Sequence, residues 1–243
     1  MQAEINASLR CVVQGADILG EVPLWCDRTR QLWWVDVRRP AVQSYDPATG
    51  AHRAWRLAPE MVTGSIALRE SGGVVLATPG GFYGYDPAQP LAPSLICDPG
   101  LGGAGMRLND GRTDKAGRLC LGSLVLGRHE QHGVLYQIEA SGQVTEIDRG
   151  FCVSNTTCFS PDGKWLYFAD SLARQIWRYA YHPETGQTGP REVFVDTAPW
   201  GSGPDGATVD AEGRLWVAFV LTGQVACFSA EGALLQLIKV PVP

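Results

Sequence analysis

The chain has 243 residues, 45% of them hydrophobic and 19% charged, which supplies a sizeable core and excludes a disordered composition. A formal net charge of −5 argues against a nucleic-acid footprint, and no run of 18 apolar residues offers a membrane-spanning helix. The first residues lack a basic segment followed by an apolar stretch, and the seven cysteines show neither a C-x-x-C pair nor disulfide-scaffold density. No signal peptide is therefore expected, and the cytoplasm is the expected compartment. In that setting the N-x-[ST] matches at Asn6 and Asn155 need not be glycan acceptors.

In chain order, a leading strand is expected over Leu9–Gln14. One phrase then recurs, a turn built on Asp or Pro with Gly followed by a short apolar and aromatic run. It appears as CDRTRQLWWVDV, RESGGVVLATP, DKAGRLCLGSL, SPDGKWLYFAD and DAEGRLWVAF. Its equivalent points, Leu32, Val74, Leu119, Leu166 and Leu215, stand 42, 45, 47 and 49 residues apart. Between them lie strand–turn–strand units such as VQSYDPATGAHRAW and IWRYAYHPETGQTGPREVFV. Two hairpins per repeat make a four-stranded blade, and blades repeated at this period make a β-propeller. No sustained 3.6-residue period occurs, so helices are expected to be few and short. The reading is all-β: residues 1–243 as a single propeller domain with five full four-stranded blades.

Several motifs fail on context. GSGPDG contains Pro204 and leads into a strand, so it lacks the helix N-terminus that a dinucleotide site needs. HEQH, from His129 to His132, spaces its histidines three apart in a loop, not four apart on a helical face. His52 and His182 fall in turn-like segments. No G-x-S-x-G elbow or EF-hand spacing is present.

What remains is a set of polar residues in apolar surroundings, each just ahead of a strand that reads as innermost. These are Glu21 in ILGEVPLW, Arg107, Asn109 and Asp110 in RLNDG, Asn155 in CVSNTTCF, and Asp205 in SGPDGATV. Taken singly, each is ordinary turn or edge chemistry. Together they place a polar residue at one address in four of five blades. Two carboxylates, Glu21 and Asp205, with the amide oxygen of Asn155 form an all-oxygen cluster whose like charges call for a cation. Hard divalent ions such as Ca²⁺, Mg²⁺ or Mn²⁺ take such ligands.

Four ordered phrases resemble the regucalcin and gluconolactonase family: LGEVPLW with LWWVDV, RLNDGRTDKAGRLCLGSL, SNTTCFSPDGKWLYFADS, and GPDGATVDAEGRLWVA. The resemblance implies a six-bladed propeller of that type, here with an incomplete last blade, since the family continues beyond VPVP. It implies one divalent metal on Glu21, Asn155 and Asp205, with calcium foremost and Zn, Mg, Mn or Fe as other candidates. It also implies sugar-hydroxyl contacts from Arg107 and Asn109, and Asp205 as general base. Departures from the family pattern are Val22 and Thr156, where Gly is usual, and Cys120, Ser123 and Leu124 in place of Trp, Thr and Met. Val125, Leu126 and Gly127 follow where an acidic residue is common.

The implied reaction is hydrolysis of a small sugar lactone to its aldonic acid by Lewis-acid activation of the carbonyl and attack of water. The rival readings are the same site acting on another ester such as an organophosphate, a non-catalytic divalent-metal-binding regulatory protein, and a protein-interaction propeller.

Overall fold

The structure, a computed structural model, describes residues 9–89, 91–103, 105–127 and 130–241; Asn6 and His129 lie outside them. Twenty strands form five four-stranded antiparallel sheets, each running in sequence order from one edge to the other. The first sheet is β1 (Gly20–Cys26), β2 (Gln31–Asp36), β3 (Ala41–Asp46) and β4 (Ala51–Arg56). The second is β5 (Ser65–Leu68), β6 (Val74–Thr78), β7 (Gly81–Tyr85) and β8 (Ser94–Cys97). The third is β9 (Met106–Thr113), β10 (Leu119–Val125), β11 (Gly133–Ile138) and β12 (Val144–Phe151). The fourth is β13 (Ser154–Phe159), β14 (Trp165–Asp170), β15 (Gln175–Tyr181) and β16 (Thr188–Asp196). The fifth is β17 (Pro204–Val209), β18 (Leu215–Phe219), β19 (Gln224–Phe228) and β20 (Leu234–Lys239). Among the described residues the one helical segment is the 3₁₀ turn Ala198–Trp200, and no helix is long and apolar enough to cross a membrane.

The recurring phrase is the turn between the first and second strands of each blade together with the second strand, which is why Leu32, Val74, Leu119, Leu166 and Leu215 fall on β2, β6, β10, β14 and β18. The first strands of successive blades, β1, β5, β9, β13 and β17, pack side by side from one blade to the next and so line the centre.

Each blade is apolar on the face it turns to its neighbour, and the core is divided accordingly into inter-blade layers. Val35, Val42 and Leu76 lie between blades one and two; Phe82, Leu108 and Leu121 between two and three. Phe151, Phe168 and Tyr179 lie between three and four, with Phe151 edge-on to Phe168 at 4.7 Å. Tyr167, Phe219 and Phe228 lie between four and five. Among the described residues none of these four clusters joins blade five to blade one.

Residues Leu9–Gln14 form no strand. The leading segment is tied to blade one instead: Asp17 accepts hydrogen bonds from Trp34 Nε1 at 2.8 Å and Gln43 Nε2 at 2.6 Å, and Ile18 and Leu19 donate to Asp36. These anchors hold it against the first blade's own sheet, and Leu9 and Val12 are exposed.

Candidate active site

The candidate residues lie within the innermost strands, not ahead of them, and a shared irregularity displays them. On β1 the pairing jumps from Glu21↔Val35 to Leu24↔Trp33, so one extra residue sits on the inner strand. The same slip occurs on β9 between Leu108 and Gly111, on β13 between Asn155 and Cys158, and on β17 between Pro204 and Ala207. β5 pairs regularly and contributes no candidate. A bulge twists the strand and re-aims side chains that a regular pleat would bury between blades. Val22 and Thr156, the residues after Glu21 and Asn155, have φ of 54° and 62°. Those are left-handed values that cost a β-branched residue on the order of 1–3 kcal/mol, and they explain why the related phrases favour Gly there.

A hydrogen-bonded lattice joins the bulges across blades. Arg107 Nη2 donates to Asn109 Oδ1 at 2.6 Å. Asn109 Nδ2 donates to the Ser154 carbonyl at 2.7 Å and to Asn155 Oδ1 at 3.1 Å. Asn155 Nδ2 donates to Ser171 Oγ at 2.9 Å, and Ser171 Oγ donates to the Pro204 carbonyl at 2.7 Å. Thr156 Oγ1 donates to the Asp205 carbonyl at 2.6 Å. Blades three, four and five are thereby stitched at the channel mouth. Gly203 permits the last stitch, because a Cβ there would stand 2.3 Å from the Ser171 carbonyl oxygen.

The electrostatics confirm a shared enclosure. Burial, reinforced by the charges of Asp205 and Asp110 and opposed by Arg107, pushes the Glu21 carboxyl up to about 8. Burial likewise raises Asp205, against the Gly206 N–H and the Arg107 charge. Asp110 rises to about 6 through burial, offset by Arg112 and by the Thr157 N–H, which donates to its Oδ2 at 2.6 Å. Burial also lowers the Arg107 guanidinium, whose Nε is buried without a hydrogen-bond partner.

Glu21, Asp205 and Arg107 thus act on one another across the channel, and Asn155 joins them through Asn109, Ser171 and Thr156. Asn109 is buried, with both ends of its amide engaged by protein, so it holds Arg107 and Asn155 in place. Among the described residues no three His, Cys, Asp or Glu side chains gather as ligands. A cation here would rest on two carboxylates and the amide oxygen of Asn155. That donor set fits a hard divalent ion: charges whose mutual repulsion holds protons on are relieved when a cation replaces them.

Two kinds of residue escaped the sequence reading. Asp36 and Asp170, closing β2 and β14, clamp the chain entering the mouth. Asp36 accepts from the N–H groups of Ile18, Leu19, Arg38 and Arg39, and Asp170 from those of Cys152, Val153 and Leu172. The signal was the shared ending of LWWVD and LYFAD. Arg38, beyond β2, is the other; it lies close enough to Arg107 to repel its charge. The discarded motifs stay peripheral: His132 pairs with Glu130 on an exposed loop, and His52 lies in β4, stacked on Trp34. Among the described residues no two cysteines form a disulfide.

A family model described as the SMP-30/Gluconolactonase/LRE-like region matches residues 19–243. A 6-deoxy-6-sulfogluconolactonase of Pseudomonas putida is 34% identical across 98% of this chain and 80% of its own length. A pentonolactonase of Haloferax volcanii is 31% identical across 95% of this chain and 76% of its own. Among solved structures, a calcium-binding regucalcin from Agrobacterium tumefaciens superposes with a TM-score of 0.88 at 26% identity, covering 95% of this chain and 77% of that one.

Proposed function

The chain belongs to the SMP-30/gluconolactonase/LRE-like family, and from that premise we propose that it is a lactonase that opens a sugar lactone to the aldonic acid with the help of one divalent cation. The observation that supports the reading is that Glu21, Arg107, Asn109, Asn155 and Asp205 all lie on or beside inner-strand bulges at the same place in four blades. Relatives named for lactones of six- and five-carbon sugars support the substrate class, and the regucalcin neighbour supports calcium as the ion.

Glu21, Asn155 and Asp205 would hold the cation, which supplies Lewis-acid polarisation of the lactone carbonyl when bound. Arg107, fixed by Asn109 through Nη2, would hold a ring hydroxyl with the rest of its guanidinium. The remaining lone pair of Asn109 Oδ1 is the contact it can offer substrate. Asp205 is the candidate base, a carboxylate at the same mouth as the proposed cation and the attacking water. Ser171 takes the Asn155 amide nitrogen, which leaves the oxygen, shared with Asn109, as the atom that would meet the cation. The unshared faces of blades five and one are where a sixth blade of the family's ring would stand, and the location proposed for the chain is the cytoplasm.

A second reading, a calcium-binding protein without turnover, is favoured by the regucalcin neighbour and uses the same oxygens. Aldonolactone hydrolysis, measured before and after chelation and after metal add-back, separates the two. The lactonase reading expects activity that disappears with chelator, returns with the ion, and is absent in Asp205→Ala. Turnover that survives both chelation and Asp205→Ala overturns it.

A further inference from the structure

The two adjacent arginines after β2 have different fates. Arg39 is used by the fold: its Nε lies 3.4 Å from Asp36 Oδ2 and its Nη2 donates to the Ala16 carbonyl. Arg38 is exposed, and among the described residues only its backbone N–H is engaged, by Asp36 Oδ1 at 3.2 Å. Asp36 therefore fixes where Arg38 begins while leaving its guanidinium unpaired. The turn that carries it lies at the mouth, since Asp36 pairs with Gly20, next to Glu21, and the Val37 N–H donates to the Leu19 carbonyl.

The charges of the mouth do not balance once the cation is in place. Glu21 and Asp205 are then taken up by the divalent ion. Asp110 has its own counter-ion in Arg112. Arg107 loses its two carboxylate partners to the cation, and Arg38 has none among the described residues. An exposed arginine on a turn beside Glu21, and a second close enough for their charges to repel, are left without carboxylate partners at one opening of a protein that is acidic overall. Such a pair is suited to an anionic group, which a guanidinium binds through paired hydrogen bonds.

We propose that Arg38 is a specificity residue, and that the preferred substrate is a lactone whose exocyclic end carries a full negative charge, as sulfonate, phosphate or carboxylate. The inference rests on the lactonase reading and narrows its substrate. Arg107 holds the ring while Arg38 receives the charged tail at the rim.

The test uses the metal-loaded full chain and a set of lactones sharing one ring and differing only at the exocyclic carbon: neutral hydroxyl, sulfonate, phosphate and carboxylate. Expected is a kcat/KM at least about tenfold higher for one or more anionic members than for the neutral one, a preference eroded by added salt. In Arg38→Ala that preference should shrink about tenfold, and Arg38→Lys should recover part of it, because a point charge replaces the fork. Which anion gains most distinguishes sulfonate from phosphate and carboxylate. The side chain makes no structural contact, so Arg38→Ala is expected to fold. Wild-type protein that turns over the neutral lactone as fast as every anionic one, or a preference unmoved by Arg38→Ala, overturns the proposal and leaves the lactonase reading intact. If no lactone is opened, that reading fails instead, and calorimetry still decides this one. The aldonate with the extra exocyclic anion must then bind more tightly than the aldonate without it, in an Arg38-dependent way; equal binding overturns the proposal.

Discussion

The inner strands fall into two classes. β13 is buried at five of six positions, from Ser154 to Cys158, and β9 is buried over Leu108–Gly111, because each is packed between neighbouring blades. β1 alternates between buried and exposed residues, Trp25 among the exposed, and β17 buries only Pro204. The two half-exposed strands flank the seam between blades five and one, and they carry the two carboxylates, Glu21 and Asp205. The enclosed strands carry Asn155, Asn109 and Arg107, and their one carboxylate, Asp110, is held by the Thr157 N–H beside Arg112. Rigidity is supplied by the closed side of the molecule and the two carboxylates proposed for the cation by the open side, where water can still offset part of their desolvation.

The largest effect expected from breaking this division is chemical. Asp205→Ala should lower lactonase kcat/KM by on the order of a thousandfold, while the metal-free protein keeps or gains stability because a raised carboxyl is removed. A metal-free variant markedly less stable than wild type would show that Asp205 supports the fold instead. Next in size is packing. Phe168→Ala, between blades three and four, should cost about 3–5 kcal/mol in denaturant unfolding. Trp34→Ala on the seam face of blade one should cost less, about 2 kcal/mol, since that ring is half-buried, stacks on exposed His52 and loses one hydrogen bond to Asp17. Equal costs would mean that the seam is covered in solution.

A divalent ion should then couple the two sides. At about 100 times its Kd, calcium should add about 2.7 kcal/mol of stability, visible as a higher Tm, and Asn155→Ala should abolish most of the gain although it removes no charge. Smaller still is the pH response of the metal-free chain. The Glu21 and Asp110 carboxyls are raised in the folded state to about 8 and about 6. The folded protein therefore holds protons that the unfolded chain has released. The associated stability is fully present below the ordinary carboxyl range near 4 and is lost as pH climbs toward 8, by no more than about 1.4 kcal/mol per pH unit for each proton. Saturating calcium, which displaces those protons, should flatten or reverse the slope, and a metal-free chain whose stability rises over this window would contradict the burial of Glu21.

The blades were legible because a short apolar second strand follows a turn at a fixed offset, as in DKAGRLCLGSL, and strand–turn–strand units fill the intervals. The candidate residues were legible as polar interruptions of apolar text. Their placement inside the inner strands was not, because the extra residue in β1, β9, β13 and β17 breaks the alternation that marks a strand, and RLNDG then reads as a turn. Leu9–Gln14 misled for the opposite reason: it has the composition of a strand, but Asp17 and Asp36 fasten the segment beside it to blade one. Arg38 was invisible, because nothing in VRRPAV distinguishes a structural arginine from a free one until Arg39 is seen to take Asp36.

The finest test concerns the bulges themselves, on the closed side where they are fully buried. Thr156 adopts φ of 62° and its Oγ1 holds the Asp205 carbonyl at 2.6 Å, so one side chain both bears the strain of the bulge and tethers β17 across the blade boundary. Thr156→Gly releases strain of about 1–3 kcal/mol, loses a hydrogen bond worth about 1 kcal/mol, and adds about 0.5–1 kcal/mol of backbone entropy to the unfolded chain. These terms nearly cancel, so the unfolding midpoint should move by less than the equivalent of about 1 kcal/mol. Thr156→Val keeps the strain and loses the tether, leaving the part-buried Asp205 carbonyl without that donor, and should be the less stable of the two by about 1–3 kcal/mol. Calcium affinity should follow the tether and not the strain, weakening in both variants, because either one frees the strand that carries Asp205. A Thr156→Gly protein that binds calcium as tightly as wild type would show that β17 is held by Ser171 alone.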